Sequence, residues 1–217
     1  MAPRPALLTA AAVCLALAAC ASPPPRAEPP PLPEPGAGAI RMAAIGDSIT
    51  DGDSRDLAGG VPGPQSWVSY AIAPGIEFVG GWAEWGATTE RMAAGVRQPL
   101  DADVLVILAG TNDTGWTPHE QVGEHLARIA ESAAVDTVVL SSIPPNDYAL
   151  GTTSELNAYL ERFAAEEEWV WVDAAAGLRS GERYAEGMSY DGVHPTEEGA
   201  RVIGEAIGAA VLSTIPR

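Results

Sequence analysis

The chain reads as an α/β domain, a five-stranded parallel sheet covered by helices on both faces. Three observations predict it. Short apolar runs alternate with longer amphipathic ones through residues 39–217, the pattern that calls for strand–helix–strand crossovers. Residues Val104–Leu108 are apolar at every position and hence on both faces, as a central parallel strand should be. Gly, Ser, Asn, Asp and His gather where the strands end, the edge at which open α/β sheets bind their ligands.

The elements follow in order. A first strand, 41–45, is short and apolar and stops at Gly46. A helix is predicted over 65–72, a second strand over 76–79 and a helix over 89–96, before the apolar strand at 104–108. Residues 118–134 form the next helix, with Thr117 as N-cap and Pro118 in the first turn, where its missing N–H is not needed. A fourth strand at 137–140, a helix at 154–168, a fifth strand at 169–172 and a closing helix at 196–212 complete the alternation. No internal repeat interrupts it.

Composition narrows the function. The 217 residues carry 29 acidic and 12 basic side chains, a net charge of -17, so the surface repels polyanions and a nucleic-acid partner is excluded. Every basic residue is Arg, from which no mechanism follows. The only long apolar run is at the start, where Ala6 to Ala19 is too short to span a bilayer and suits a signal h-region. It ends in Leu17-Ala18-Ala19-Cys20, which resembles the lipobox of bacterial lipoproteins. The resemblance implies a signal peptide over 1–19, diacylglycerol on Cys20 and export to the outer face of a bacterial membrane. Ordinary secretion is the alternative. Cys14 would leave with the signal, so the mature chain would have neither free thiol nor disulfide and would rely on its core. Residues 20–38 are dense in proline and read as an extended tether, with the folded domain over 39–217.

The chemistry lies in four loops. A serine at a strand-to-helix turn can expose its hydroxyl and point its own N–H the same way, and Ser48 occupies that place. Of three histidines, His119 and His125 fall on a predicted helix and are expected to be solvated, while His194 lies in a loop and is the default base. Asp191, three residues earlier in a tight turn, can hold its far nitrogen. Taken singly, Ser48 reads equally as a helix N-cap, and Gly110, Asn112 and Asp191 as turn residues. Asp47 is expected to bind backbone amides around the Ser48 turn, and Asp113 to stabilise its own loop.

Together, Gly46-Asp47-Ser48-Ile49-Thr50, Gly86 before Ala87-Thr88-Thr89, Gly110-Thr111-Asn112-Asp113 and Asp191-Gly192-Val193-His194-Pro195 resemble the four motif blocks of the SGNH, or GDSL-type, hydrolases. They stand in the family's order and span nearly the whole domain. The resemblance implies a three-layer α/β/α, flavodoxin-like fold with Ser48 as nucleophile, His194 as general base and acid, and Asp191 as its orienting partner. The Ser48 N–H, Gly86 N–H and Asn112 side-chain amide would form the oxyanion hole. Two departures stand out. Ile49 replaces the family's eponymous Leu, and the second block has a Trp-rich lead-in, Gly81-Trp82-Ala83-Glu84-Trp85.

The implied reaction is hydrolysis of carboxylic esters through an acyl-enzyme on Ser48, needing neither metal nor organic cofactor. Trp82, Trp85 and Trp116 lie in loops that should frame the cleft, where an indole can stack on a sugar or acyl chain; packing of the loops is the other reading. Short acyl groups, acetyl foremost, on a carbohydrate or small polar substrate of the envelope are expected, since no long apolar lid is in view. A lysophospholipase or thioesterase for longer chains, an O-acyltransferase and a catalytically silent glycan-binding lipoprotein are the alternatives. The sequence leaves the oligomeric state open.

Overall fold

A computed structural model describes residues 33–214. The predicted signal segment, the lipidation site Cys20 and all but the last six residues of the proposed tether lie outside the described residues; residues 33–38 are exposed. Among the described residues no helix is long and apolar enough to cross a membrane.

The five strands are β1 (Ile40–Gly46), β2 (Ile76–Ala83), β3 (Val104–Leu108), β4 (Thr137–Ser141) and β5 (Val170–Val172). They are all parallel, in the order β2-β1-β3-β4-β5, which is the flavodoxin-like order. The helices are α1 (Ser48–Asp51), α2 (Val68–Ala71), α3 (Thr89–Gly95), α4 (His119–Ala133), α5 (Thr152–Glu166) and α6 (Glu197–Ser213). Helices α2 and α6 pack together on one side of the sheet, while α3, α4 and α5 pack in sequence on the other. A two-stranded hairpin, β6 (Arg179–Ser180) and β7 (Arg183–Tyr184), stands apart from the sheet.

The core follows from the apolar strands. All five residues of β3 are buried, as are Met42 to Ile45 of β1. The helices cover them with Val122, Leu126 and Ile129 of α4, Leu156 and Leu160 of α5, and Ile203, Ile207 and Val211 of α6, each set spaced at helical intervals. Helix α6 approaches α2 through its glycines: a Cβ on Gly204 would overlap the Trp67 carbonyl oxygen, so bare backbone sets the spacing.

Three boundaries depart from expectation for physical reasons. Strand β2 continues past Val79 to Ala83, because Gly80 and Gly81 do not end it but let it bulge. Met42 pairs with Phe78 but Ala44 with Gly81, so two β2 residues oppose Ala43, and a Cβ on Gly81 would overlap the Ala44 carbonyl. The predicted helix at 65–72 shrinks to the four residues of α2, preceded by turns at Ser66 and Trp67. Helix α4 begins at His119 with Pro118 as its N-cap, at ψ 139, rather than with Thr117 capping and Pro118 inside the first turn. The Thr117 N–H is already engaged by the Asp113 carbonyl.

Sheet order places the loops. The chain leaves β1 toward β2 and returns on the other side as β3, so the switch point lies between β1 and β3. Ser48 follows β1 and Asn112 follows β3, on either side of it.

Candidate active site

Ser48 sits at the first position of α1, directly after β1 and Asp47. Asp47, not Ser48, is the N-cap: its Oδ1 accepts the Ile49 N–H at 2.9 Å. This separation of tasks matters, because a capping serine spends its hydroxyl on the backbone whereas Ser48 keeps its own. Beneath the turn, Thr50 accepts the Trp67 indole N–H on its side chain and the Ser66 hydroxyl on its carbonyl, fixing the elbow from below.

The freed hydroxyl donates to His194 Nε2 at 2.9 Å, and His194 Nδ1 lies 2.7 Å from Asp191 Oδ2. A carboxylate can only accept, so Nδ1 carries the ring proton and Nε2 is the acceptor facing Ser48. The other carboxylate oxygen, Oδ1, accepts the backbone N–H groups of Val193 and His194, so one side chain fixes both the turn and the ring. Partial burial alone would raise the Asp191 carboxyl, but these bonds from His194 and Val193 outweigh it and hold it below the usual carboxylate range. The serine, imidazole and carboxylate thus form a relay across 146 residues of sequence, able to withdraw the serine proton as the oxygen attacks.

The turn carrying the acid and base is fastened from outside the sheet. Tyr184 of β7 donates its O–H to the Val193 carbonyl at 2.7 Å, Tyr148 donates to the Asp191 carbonyl at 3.0 Å, and the Asp147 N–H donates to the Gly192 carbonyl at 2.8 Å. Gly192 adopts φ 84 here, with Asp147 Cβ 3.0 Å from where its own Cβ would stand, so a side chain is excluded on both counts.

The loops that carry the three predicted oxyanion donors meet. The Asn112 amide nitrogen lies 2.9 Å from the carbonyl of Ala87, next to Gly86, and 3.4 Å from Oδ2 of Asp47, next to Ser48. As the first residue of α1, Ser48 has an N–H with no acceptor within the helix. Asp47 itself is fully buried, and burial pushes its carboxyl up to about 6, against the Ile49 N–H and His194, which pull the other way. Asp113 does not serve its own loop alone; its carboxylate accepts both the N–H and the O–H of Thr89 and ties the Asn112 loop to α3.

Of the three tryptophans expected at the cleft, one is there. Trp85 stacks on His194 with ring centroids 5.3 Å apart and donates its indole N–H to Asp51 at 2.8 Å. Trp82 instead packs against Gly95 of α3 beneath the Arg91 guanidinium, because the prolonged β2 carries it onto that helix. Trp116 is 89% exposed and borders a separate hollow with Thr117, His119 and Thr152. The expectation for His125 also fails: it is buried, and its Nδ1 shares a hydrogen bond with Thr89 Oγ1 at 2.9 Å. His119 is half-buried and packs on Tyr159.

Sequence reasoning missed Tyr190, whose ring stacks on His194 at 5.8 Å and 11°. Its place directly before Asp191 was the available signal. Trp85, Tyr190, Ile49, Gln65 and Pro195 line a small hollow beside Ser48 and His194 of about 10 Å³. That is space for roughly one water molecule. Among the described residues no group of three or more His, Cys, Asp or Glu side chains converges as metal ligands.

Comparison with known proteins agrees with this geometry. The model of the GDSL-like lipase/acylhydrolase family matches residues 44–202. No curated protein sequence matches the chain. Among solved structures, a GDSL-like lipase from Bacteroides thetaiotaomicron is similar at 22% identity and TM-score 0.63, covering 85% of this chain and 93% of its own. An aryl esterase from M. smegmatis in its inhibitor-bound form is similar at 19% identity and TM-score 0.63, covering 82% of this chain and all of its own. An acetylxylan esterase from Geobacillus stearothermophilus, solved as a catalytic mutant, is similar at 20% identity and TM-score 0.62, covering 80% and 95%. These likenesses establish the fold. With a serine–histidine pair at its centre and a family model spanning most of its length, the chain belongs to the GDSL-like lipase/acylhydrolase family of ester-cleaving hydrolases.

Proposed function

We propose that the protein is a serine esterase that removes short acyl groups, acetyl foremost, from a polar substrate. The observation that carries the reading is the Ser48–His194–Asp191 relay, with Trp85 and Tyr190 stacked on the imidazole beside the nucleophile. Ser48 Oγ attacks the ester carbonyl carbon while its proton passes to His194 Nε2. The oxyanion is held by the Ser48 and Gly86 N–H groups and the Asn112 amide, each donor being worth about 3 to 4 kcal/mol of barrier. The carbon–alkoxy bond then breaks as Nε2 returns the proton to the leaving alcohol. Water, deprotonated by Nε2, attacks the acyl-enzyme, and collapse releases the carboxylic acid and restores the Ser48 hydroxyl. Asp191 keeps Nδ1 protonated throughout.

Short acyl groups suit the small hollow that Trp85 and Tyr190 border beside Ser48. The similarity to an acetylxylan esterase and an aryl esterase is consistent with this choice. A net charge of -17 favours neutral substrates over anionic lipid head groups. We place the enzyme in the cell envelope, held by a lipid on Cys20 through the proline-rich tether; incorporation of labelled palmitate that disappears in Cys20→Ala is the test of that part.

The test of the activity is hydrolysis of p-nitrophenyl esters from acetate to palmitate, by the protein and its Ser48→Ala variant. Turnover of acetate and butyrate that vanishes in the variant is expected. A maximum at long chains would select the lysophospholipase or thioesterase reading. Absence of turnover together with absence of labelling by a fluorophosphonate would remove the enzymatic one.

A further inference from the structure

The hollow beside Ser48 and His194 is small, about 10 Å³. A hollow of about 320 Å³ lies elsewhere, between the first turns of α5, the end of β5 and the β6–β7 hairpin. Its size falls within the roughly 300–1,000 Å³ of small-molecule sites. It lies toward the same carboxyl edge of the sheet as Ser48, since Trp171 belongs to β5 and Asp173 directly follows that strand.

Its walls carry a particular chemistry. Trp171 supplies a half-buried aromatic ring. Glu161 and Glu182 are exposed carboxylates, and Arg179 pairs with Asp173 at 2.7 Å while keeping most of its guanidinium donors for other partners. Three carboxylates against one guanidinium repel an anion. The charged groups make the hollow a poor host for a purely apolar ligand, because each would lose water without gaining a partner. A neutral polyol suits these walls: its hydroxyls donate to the carboxylates and accept from Arg179, and its C–H face packs on an indole.

We infer that this hollow is a second site, one that binds a neutral carbohydrate chain. It is also mechanically joined to the Asp191–His194 turn. The hairpin that forms one wall continues to Tyr184, whose N–H donates to Asp147 and whose O–H donates to the Val193 carbonyl. Asp147, two residues beyond Pro145, which lines the hollow, holds Gly192 through its own N–H. A sugar chain bridging the hairpin and the Pro145 segment therefore braces the two segments that fasten the catalytic turn.

Binding is the readout, so the inference stands or falls separately from the esterase reading. Isothermal titration of xylohexaose, cellohexaose and chitohexaose into the full Ser48→Ala protein, which cannot turn over an ester by the proposed route, is the experiment. Saturable binding of at least one is expected, weakened about tenfold or more by Arg179→Ala and by Glu161→Ala, the loss typical of a charge-assisted hydrogen bond. Both side chains are partly or fully exposed, and an unchanged melting temperature confirms folding of each variant; Glu182→Ala serves in place of one that melts early. No saturable binding of any of the three at about 10 mM would overturn the inference. So would binding indifferent to these substitutions, or binding of choline chloride in place of the sugars, which would make the hollow a cation site.

Discussion

Replacing Asp47 by asparagine separates what this carboxylate does for the fold from what it costs. Asp47 is 0% exposed, and its carboxyl is pushed up to about 6 from an ordinary 3.8, with burial as the leading cause. At about 1.4 kcal/mol for each tenfold change in proton affinity, that gap corresponds to about 3 kcal/mol. The folded pKa lies above the unfolded one, so the protonated side chain is the form the fold accommodates. Its contribution to stability is complete below the unfolded pKa and is lost as the pH rises through about 6. About 2 kcal/mol of that loss falls between pH 4 and pH 7.5. Asparagine keeps a carbonyl oxygen for the Ile49 N–H and cannot ionise. Its amide would face the Asn112 amide, donor to donor, where Asp47 Oδ2 now lies at 3.4 Å, a penalty that does not vary with pH. The measurement is urea unfolding of both proteins at the two pH values. All other carboxylates titrate alike in the pair, so the difference in unfolding free energy isolates Asp47. It should move by about 2 kcal/mol in favour of Asp47→Asn on going from pH 4 to 7.5, a midpoint change of about 1 M urea at a slope of roughly 2 kcal/mol/M. A difference that stays constant within about 0.5 kcal/mol would mean that the buried carboxylate ionises as if solvated, and the reasoning fails.

Other expectations are more direct. Asn112→Ala should lower kcat for p-nitrophenyl acetate by about 10² to 10³ with little change in KM, as expected for a donor used mainly in the transition state; a change confined to KM would assign Asn112 to substrate binding instead. Trp85→Ala removes the ring that stacks on His194 and borders the small hollow beside Ser48, so the ratio of octanoate to acetate hydrolysis should rise, and an unchanged ratio in a chain-length series would show that Trp85 does not set acyl length. Gly204→Ala would ordinarily stabilise a helix by about 1 kcal/mol. Here its Cβ meets the Trp67 carbonyl, so a net destabilisation of about 1 to 3 kcal/mol is expected in a urea titration, and a gain would show that α6 can shift away from α2.

The sheet was legible because its signal is local. Val104–Leu108 can hide on both faces only in the middle of a parallel sheet, and it lies there, third of five. The relay was legible because each member sits in a short motif, and the structure brings Ser48, His194 and Asp191 within hydrogen-bonding distance. Where the reading failed, the cause differs from residue to residue. His125 was readable: it shares the apolar stripe of Val122, Leu126 and Ile129, and only the assumption that a helical histidine is solvated concealed it. Trp82 was misplaced because Gly80 and Gly81 look like an end to β2, whereas they form a bulge whose need for glycine depends on the Ala44 carbonyl across the sheet. Tyr148 and Tyr184 bear on the Asp191 turn from 43 and 9 residues away, contacts that no periodicity encodes.

The fastening of that turn has a dynamic consequence. Ser48 belongs to the sheet, rooted between buried β1 and the Trp67–Thr50 bond, whereas Asp191 and His194 ride on a strap attached by two phenols, one backbone amide and a glycine. Segments so different in burial open with different free energies. Amide hydrogens of residues 183–195 should exchange in a subglobal event well before those of β1 and β3, and each such opening takes the acid–base pair away from an otherwise intact nucleophile. Turnover on warming is therefore expected to fade reversibly below the melting temperature, so heat-inactivated and unfolded populations of this enzyme are not the same molecules.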